Sequence, residues 1–192
     1  MRQSGDVYIN IIPIKVGDIL CVRNGKSFIA RAITYFMKIY KRKRGISKDF
    51  PNYHHSAIVI DVWGVMYIAE SVSKGFKIHK FDEAYSEKSW KERIDIITPV
   101  TPYTEIEAEM LCKIAVTYSF NITRYDFFNF IWQILLILFG RWMGPKGKKA
   151  ENRLYCSEAV ATIINYVRPD TFRNPSATNP IDVATSKSYR FL

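Results

Sequence analysis

Residues 55–70 carry the strongest folding instruction in the chain. HSAIVIDV and VMYIAE are two aliphatic runs of strand length, separated by Trp63-Gly64. Runs rich in β-branched residues about so short a bend read as an antiparallel hairpin. Two registers fit. With Trp63-Gly64 as a two-residue loop, Val62 faces Val65, Ala57 faces Glu70 and His55 lies diagonal to Glu70. With a four-residue loop, His55 faces Glu70 directly. Side chains alternate along a strand, so either register puts His55 and Glu70 on one face, within mutual reach. A carboxylate there can hold the imidazole in one tautomer and stabilise its charged form. A structural histidine beside an edge-strand glutamate is the plainer reading of the same pair.

The remaining elements are grouped rather than alternating. Gly17-Asp18 turns into a short strand through Val22, and residues 93–98 (RIDIIT) form another. Residues 27–40 read as an amphipathic helix with Ser27 as N-cap and Phe28, Ala32, Ile33, Phe36 and Ile39 or Tyr40 on its apolar stripe. Lys41 to Arg44 suit the negative end of the helix dipole, and Gly45 suits the exit. Thr104 and Glu107 form a capping box for a helix through about Tyr118. A very apolar helix is expected over 124–139. Another opens at Tyr155-Cys156 and runs to about Val167, with Ala159, Val160, Ile163, Ile164 and Val167 on its buried face. Pro169, Pro175 and Pro180 punctuate an irregular tail. Grouped strands and helices indicate the α+β class, and 192 residues suit one domain of about 100–200.

Charge narrows the partners. Lys and Arg number 28 against 18 Asp and Glu, a net +10, which excludes an acidic solvating protein and favours phosphates, nucleic acid or a membrane surface. No helix-turn-helix, zinc-finger or RNP-type pattern is present, and the basic clusters lie in turns, which argues against nucleic acid. Neither GxxxxGK[ST] nor GxGxxG occurs, so nucleotide binding has no support. Three cysteines cannot build a disulfide framework, no CxxC occurs, and His54, His55 and His79 lack zinc-finger spacing. No metal or organic cofactor is expected. The N-terminus has one Arg and then Asp6 inside the would-be apolar region, which is no secretory signal. The expected setting is cytoplasmic, with peripheral contact at a membrane.

The segment Arg153-Leu154-Tyr155-Cys156-Ser157-Glu158 places a cysteine on the first turn of an amphipathic helix. Unpaired N–H groups and the dipole at such an end favour a thiolate and can bind a developing oxyanion. A small buried packing residue is the commoner fate of a free cysteine. Cys21 reads as core, Cys112 as a poor nucleophile near Glu105 and Glu109, and His79 as a surface residue of the strand after Gly75. Together, Cys156, His55 and Glu70 supply the nucleophile, base and orienter of cysteine hydrolases, in the chain order His, Glu, Cys.

These residues resemble a family. Gly17-Asp18-Ile19-Leu20, His55-Ser56-Ala57-Ile58-Val59, Ala69-Glu70-Ser71 with Gly75-Phe76 and Ile78, Tyr155-Cys156-Ser157-Glu158, and Asn179-Pro180-Ile181-Asp182-Val183-Ala184-Thr185-Ser186 are similar, in order and spacing, to motifs of the permuted papain-like amidases of the YaeF/YiiX type. That family has poxvirus relatives and sits in the NlpC-type cysteine hydrolase superfamily. The resemblance implies a single circularly permuted papain-like domain over 1–192, a small antiparallel sheet or barrel packed against helices. It implies Cys156 as nucleophile, His55 as base and acid, and Glu70 as orienting residue, with Tyr53 and Tyr155 lining the oxyanion site. His54 precedes the matching position. The implied reaction cleaves an amide or ester through an acyl-thioester, on a lipid or peptide, with acyl transfer if the acceptor is an alcohol or lipid.

Residues 124–149 depart from that pattern as a basic and apolar helical insertion. Phe127 to Phe139 holds 11 apolar residues among 13, broken by Asn129 and Gln133. A membrane span needs ~20 such residues. Two readings remain: a central helix packed under the sheet, or a helix that dips into a bilayer or forms an acyl-chain groove. Lys146-Gly147-Lys148-Lys149 follows, and with Lys41 to Arg44 it suits an anionic membrane surface. The rival to an enzyme is a non-catalytic membrane- or partner-binding module that retains the fold.

Overall fold

The computed structural model describes residues 8–9, 12–84, 93–121, 124–140, 143–144 and 153–192. In chain order the elements are β1 (Tyr8–Ile9), β2 (Ile12–Pro13), β3 (Ile19–Arg23), α1 (Phe28–Lys43), β4 (Tyr53–Val62), β5 (Val65–Val72), β6 (Gly75–Lys80), α2 (Phe81–Ala84) and β7 (Ile94–Pro99). There follow α3 (Glu105–Asn121), β8 (Arg124–Tyr125), α4 (Phe127–Phe139), β9 (Arg153–Leu154), α5 (Cys156–Val167), α6 (Pro180–Ala184) and β10 (Tyr189–Phe191). Six strands form an open antiparallel sheet in the order β10-β7-β3-β4-β5-β6. The α+β expectation holds.

The β4–β5 turn resolves the register. Trp63 and Gly64 both have positive φ (56° and 82°), the backbone of a two-residue type I′ turn. Its twist matches that of the strands it joins. Asp61 Oδ1 accepts from Gly64 N at 2.7 Å and steadies the bend. Val62 pairs with Val65 and Ile58 with Ala69, so the four-residue alternative is excluded. Continuing that register sets Ala57 opposite Glu70 and His55 on the diagonal.

Period-two patterning gives the sheet two buried faces. Ile19, Cys21, Ile58, Ile60, Ala69 and Ile97 pack against Ile33 and Met37 of α1, Leu111 and Ala115 of α3, and Ala159, Val160, Ile163 and Ile164 of α5. Leu20, Val22, Ala57, Val59, Ile68, Ile94 and Ile96 form a second cluster with Ile14 and Phe81. Cys21 is fully buried, as expected.

Local signals in the sequence are realised with some corrections. Ser27 caps α1 by accepting from Ala30 N at 3.1 Å, and Thr104 and Glu107 cap α3 reciprocally. The helix α1 continues to Lys43, and its buried stripe is Ala30, Ile33, Met37, Tyr40 and Lys41. Phe28 was placed on that stripe, yet it is exposed. It sits in the first turn, beyond the part of α1 that packs on the sheet. Buried Lys41 is tolerated because its ammonium donates to the carbonyls of Lys48 and Phe50. The tail is more ordered than its prolines suggest. Asn179 caps α6 by accepting from Ile181 N and Asp182 N, and β10 adds an edge strand to β7.

Gly17 is a tight point in this frame. Its φ is +88°, and a Cβ there would come within 2.3 Å of the Tyr103 ring. That ring is held by the Arg168 guanidinium, 4.1 Å above its centroid, and by the hydroxyl of Tyr189 at 2.7 Å. The substitution Gly17→Ala is therefore expected to destabilise by about 1–3 kcal/mol, read as a lower urea midpoint with an unchanged slope.

Candidate active site

The N-termini of α1 and α4 border one cavity of about 460 Å³. Ser27, the cap of α1, and Phe127, the first residue of α4, both line it, with His54, His55, Glu70, His79 and Tyr125. Cys156 begins α5 just behind this wall, only 1% exposed. Its sulfur is in side-chain hydrogen bonds with His55 and with Tyr125.

The central contact is His55 Nε2 to Glu70 Oε2, at 2.6 Å. Nδ1 is the ring nitrogen left to face the Cys156 sulfur. Burial opposes the imidazolium, but Cys156 and Glu70 outweigh it, and the His55 pKa is pushed up to about 10. His54 behaves in the opposite way. Burial first, and then the charge of His55, push it down to about 4. Its Nδ1 has no hydrogen-bond partner among the described residues. Of the two histidines, His55 is the one that interacts with Cys156 and Glu70.

The site contains two residues that sequence reasoning missed. His79 was placed on the surface, but β6 pairs Ile68 with His79 and Glu70 with Lys77, so His79 shares the face of Glu70. Its Nε2 lies 3.6 Å from Glu70 Oε1. Tyr125 was absorbed into a helix starting at 124. Instead Asp126 caps α4, accepting from Asn129 N at 2.9 Å, and Tyr125 pairs in parallel with Leu154. That pairing, one residue before Tyr155-Cys156, brings the phenol to the sulfur. Burial and the adjacent Cys156 raise the Tyr125 pKa far above its ordinary value, so it is a hydroxyl donor.

Tyr53 and Tyr155 do not line the cavity. The buried Tyr53 hydroxyl donates to Asp95 Oδ2 at 2.8 Å, and its ring packs edge-on against Phe50. The Tyr155 hydroxyl lies 2.6 Å from Ser157 Oγ, which donates to the Thr178 carbonyl. Both tyrosines brace the frame. Cys112 is deterred chiefly by burial, ahead of the neighbouring acids; its sulfur accepts from Asp61 N.

The polar breaks in the apolar helix tie α4 to α5 and to the segment at Ser176. Asn129 and Gln133 are buried on α4, at 4% and 2% exposure, together with Ile137. Asn129 Nδ2 donates to Glu158 Oε2 at 2.5 Å, and Gln133 Nε2 donates to the Ser176 carbonyl at 3.0 Å. Glu158 lies two residues beyond Cys156 on α5. Burial raises its pKa, which the Asn129 and Ser176 hydrogen bonds oppose.

The chain superposes on the metalloprotein YiiX of Escherichia coli O157:H7 with a TM-score of 0.52 and 14% identity, over 93% of this chain and 96% of that one. The two share a fold. No family model and no curated protein sequence matches the chain. Among the described residues, no three His, Cys, Asp or Glu side chains are placed to hold a metal ion. His55 and His79 both turn a ring nitrogen toward Glu70 rather than toward a common point, so this donor set does not fit a metal.

The raised His55 pKa fixes the sign of a pH effect. The unfolded imidazole titrates near 6.5 and the folded one near 10. Its stabilisation is fully present below pH 6.5 and is lost as pH rises toward 10. Urea unfolding across that window should show falling stability in the wild type. The slope should be shallower in Glu70→Gln, which removes one cause of the shift.

Proposed function

We propose that the chain is a cysteine acyl-transfer enzyme of permuted papain-like type, cleaving an amide or ester through an acyl-thioester. The observation that carries this reading is the continuous contact Glu70–His55–Cys156, with the sulfur at a helix N-terminus. A packing cysteine needs neither a histidine partner nor a carboxylate behind it. The shared fold with YiiX is compatible with this reading, and the motif resemblance adds the assignment of roles.

The geometry supports the following sequence. His55 accepts the thiol proton, and the sulfur attacks the carbonyl carbon. The developing oxyanion meets the Tyr125 hydroxyl and the first-turn N–H groups of α5, which have no acceptor within the helix. When the tetrahedral intermediate collapses, the C–N or C–O bond breaks, and His55 returns its proton to the leaving amine or alcohol. Water then attacks the thioester, His55 takes its proton, and the free acid and thiol are released. An alcohol in place of that water gives acyl transfer. Glu70 touches no reacting atom in this scheme. It positions the ring of His55 and keeps its charge favourable, with His79 on its second oxygen.

YiiX is described as a metalloprotein. The donor geometry here gives no reason to route a step through a metal.

Two measurements test the reading. Iodoacetamide at pH 7 should label Cys156 faster than Cys21 or Cys112, with the site located by peptide mass spectrometry. His55→Ala should slow that labelling at least tenfold, and Glu70→Gln should slow it less. In p-nitrophenyl acetate hydrolysis, Cys156→Ser should abolish turnover. Tyr125→Phe should reduce it roughly hundredfold, the cost of one oxyanion donor. Labelling indifferent to His55→Ala would overturn the enzyme and leave a binding module.

A further inference from the structure

The helix α4 is built inside out. A surface helix normally turns its apolar stripe to the core and its polar stripe to water. Here Asn129, Gln133 and Ile137, at spacing four, face the protein. Phe127, Phe128, Ile131, Leu138 and Phe139 face out, with Phe128 at 63% and Phe139 at 68% exposure. At 100° per residue the two sets lie on opposite sides of the helix. The buried polar residues are bonded to Glu158 and Ser176, so their inward orientation is specified rather than accidental. Thirteen residues without a charge thus present a ridge of aromatic and aliphatic side chains along about 20 Å of helix.

Both ends of the ridge are informative. At its N-terminus, Phe127 lines the cavity with the thiol behind it, as does Ile29 of α1, and Phe28 projects from the same turn at 86% exposure. At its C-terminus, Lys43, Arg44 and Arg173 line a second hollow with Leu136, Ile137 and Gly140. Lys43 donates to the Leu138 carbonyl on the last turn of α4, which joins the cationic group to the end of the ridge. The acidic residue in that hollow, Asp182, is bonded by the Tyr40 hydroxyl.

We propose that the outward face of α4, with Phe28 and Ile29, docks on an anionic lipid bilayer. The apolar ridge enters the acyl boundary, while Lys43, Arg44 and Arg173 meet headgroup phosphates. An apolar face rimmed by cations matches the chemistry of that surface. A second copy of the chain is disfavoured as occupant, because two surfaces of a +10 protein repel. No helix among the described residues is long and apolar enough to cross a membrane, so the contact is interfacial. In this orientation the cavity opens at the lipid. Resting on the acyl-transfer reading, this makes a lipid-borne acyl group the substrate class.

The full chain would be sedimented with vesicles of phosphatidylcholine alone and of phosphatidylcholine with 30% phosphatidylserine. Affinity should be at least tenfold higher for the anionic vesicles. It should fall at least tenfold in the double variant Phe128→Asp and Ile131→Asp, and weaken in Lys43→Glu with Arg173→Glu. These side chains are exposed or rim a hollow, and an unchanged urea midpoint would show that the fold is intact. Equal pelleting of wild type and the α4 variant would overturn the docking face. So would a stable dimer by light scattering that the same variant dissolves. Cys156→Ser should bind vesicles like the wild type, which separates docking from catalysis. Vesicle binding without Cys156-dependent release of fatty acid would overturn the substrate class and leave the docking face standing.

Discussion

A one-residue slip between β4 and β5 would carry His55 to the face opposite Glu70, because side chains alternate along a strand. The candidate site therefore hangs on the type I′ turn at Trp63-Gly64, about 25 Å of strand away from the histidine. The turn sets the register, and the register sets the diagonal on which a 2.6 Å contact forms. Burial of both sheet faces enforces the same choice. Ala57 and Val59 lie in one cluster and Ile58 and Ile60 in the other, so a one-residue slip would exchange their neighbours.

Cys156 is held from the other direction. Its helix starts where β8 and β9 pair in parallel, and Ser71 of β5 donates to the Leu154 carbonyl at 2.5 Å. That bond ties the strand next to Glu70 to the residue two before Cys156. Behind the helix, Glu158 is buried and bonded to Asn129. A buried carboxyl is costly unless its oxygens are paired. Pairing it through α4 makes the position of the thiol depend on the same helix that presents the apolar ridge. The apolar ridge and the placement of Cys156 thus share one element.

The charge distribution has a local meaning as well as a global one. The helices α1 and α4 begin at the cavity and α5 begins behind it, so the positive ends of three helix dipoles lie close to it. The buried imidazole adds its own charge there, and Glu70 offsets it from one side only. The result is a pocket suited to negative charge that develops on a sulfur or an oxygen. His54 beside it is pushed the other way, first by burial and then by the charge of His55.

Local patterns in the sequence determined the hairpin, the capped helices at Ser27 and Thr104, the start of the nucleophile helix and the placement of His55 and Glu70 on one face. Each depends on residues fewer than about twenty apart, and turn or cap chemistry specifies each. Only the tertiary structure decided the rest. Tyr125 reaches the sulfur through a parallel pairing with Leu154, 29 residues on, which no periodicity records. His79 joins the site through the β5–β6 register, where the sequence shows merely a histidine in a strand. Tyr53 and Tyr155 neighbour the key residues in sequence but turn to Asp95 and Ser157; for Tyr53 the cause is a register shift, in which Val22 pairs with His55 but Arg23 with Tyr53, so the alternation that would put Tyr53 on the face of His55 is broken. The helix over 127–139 is the clearest case. Its composition announced an apolar element, but which side faced inward was set by two polar residues finding partners on α5 and beside it. Hydrophobic area has no direction, whereas a buried amide must meet its hydrogen-bond partners, and that requirement oriented the helix.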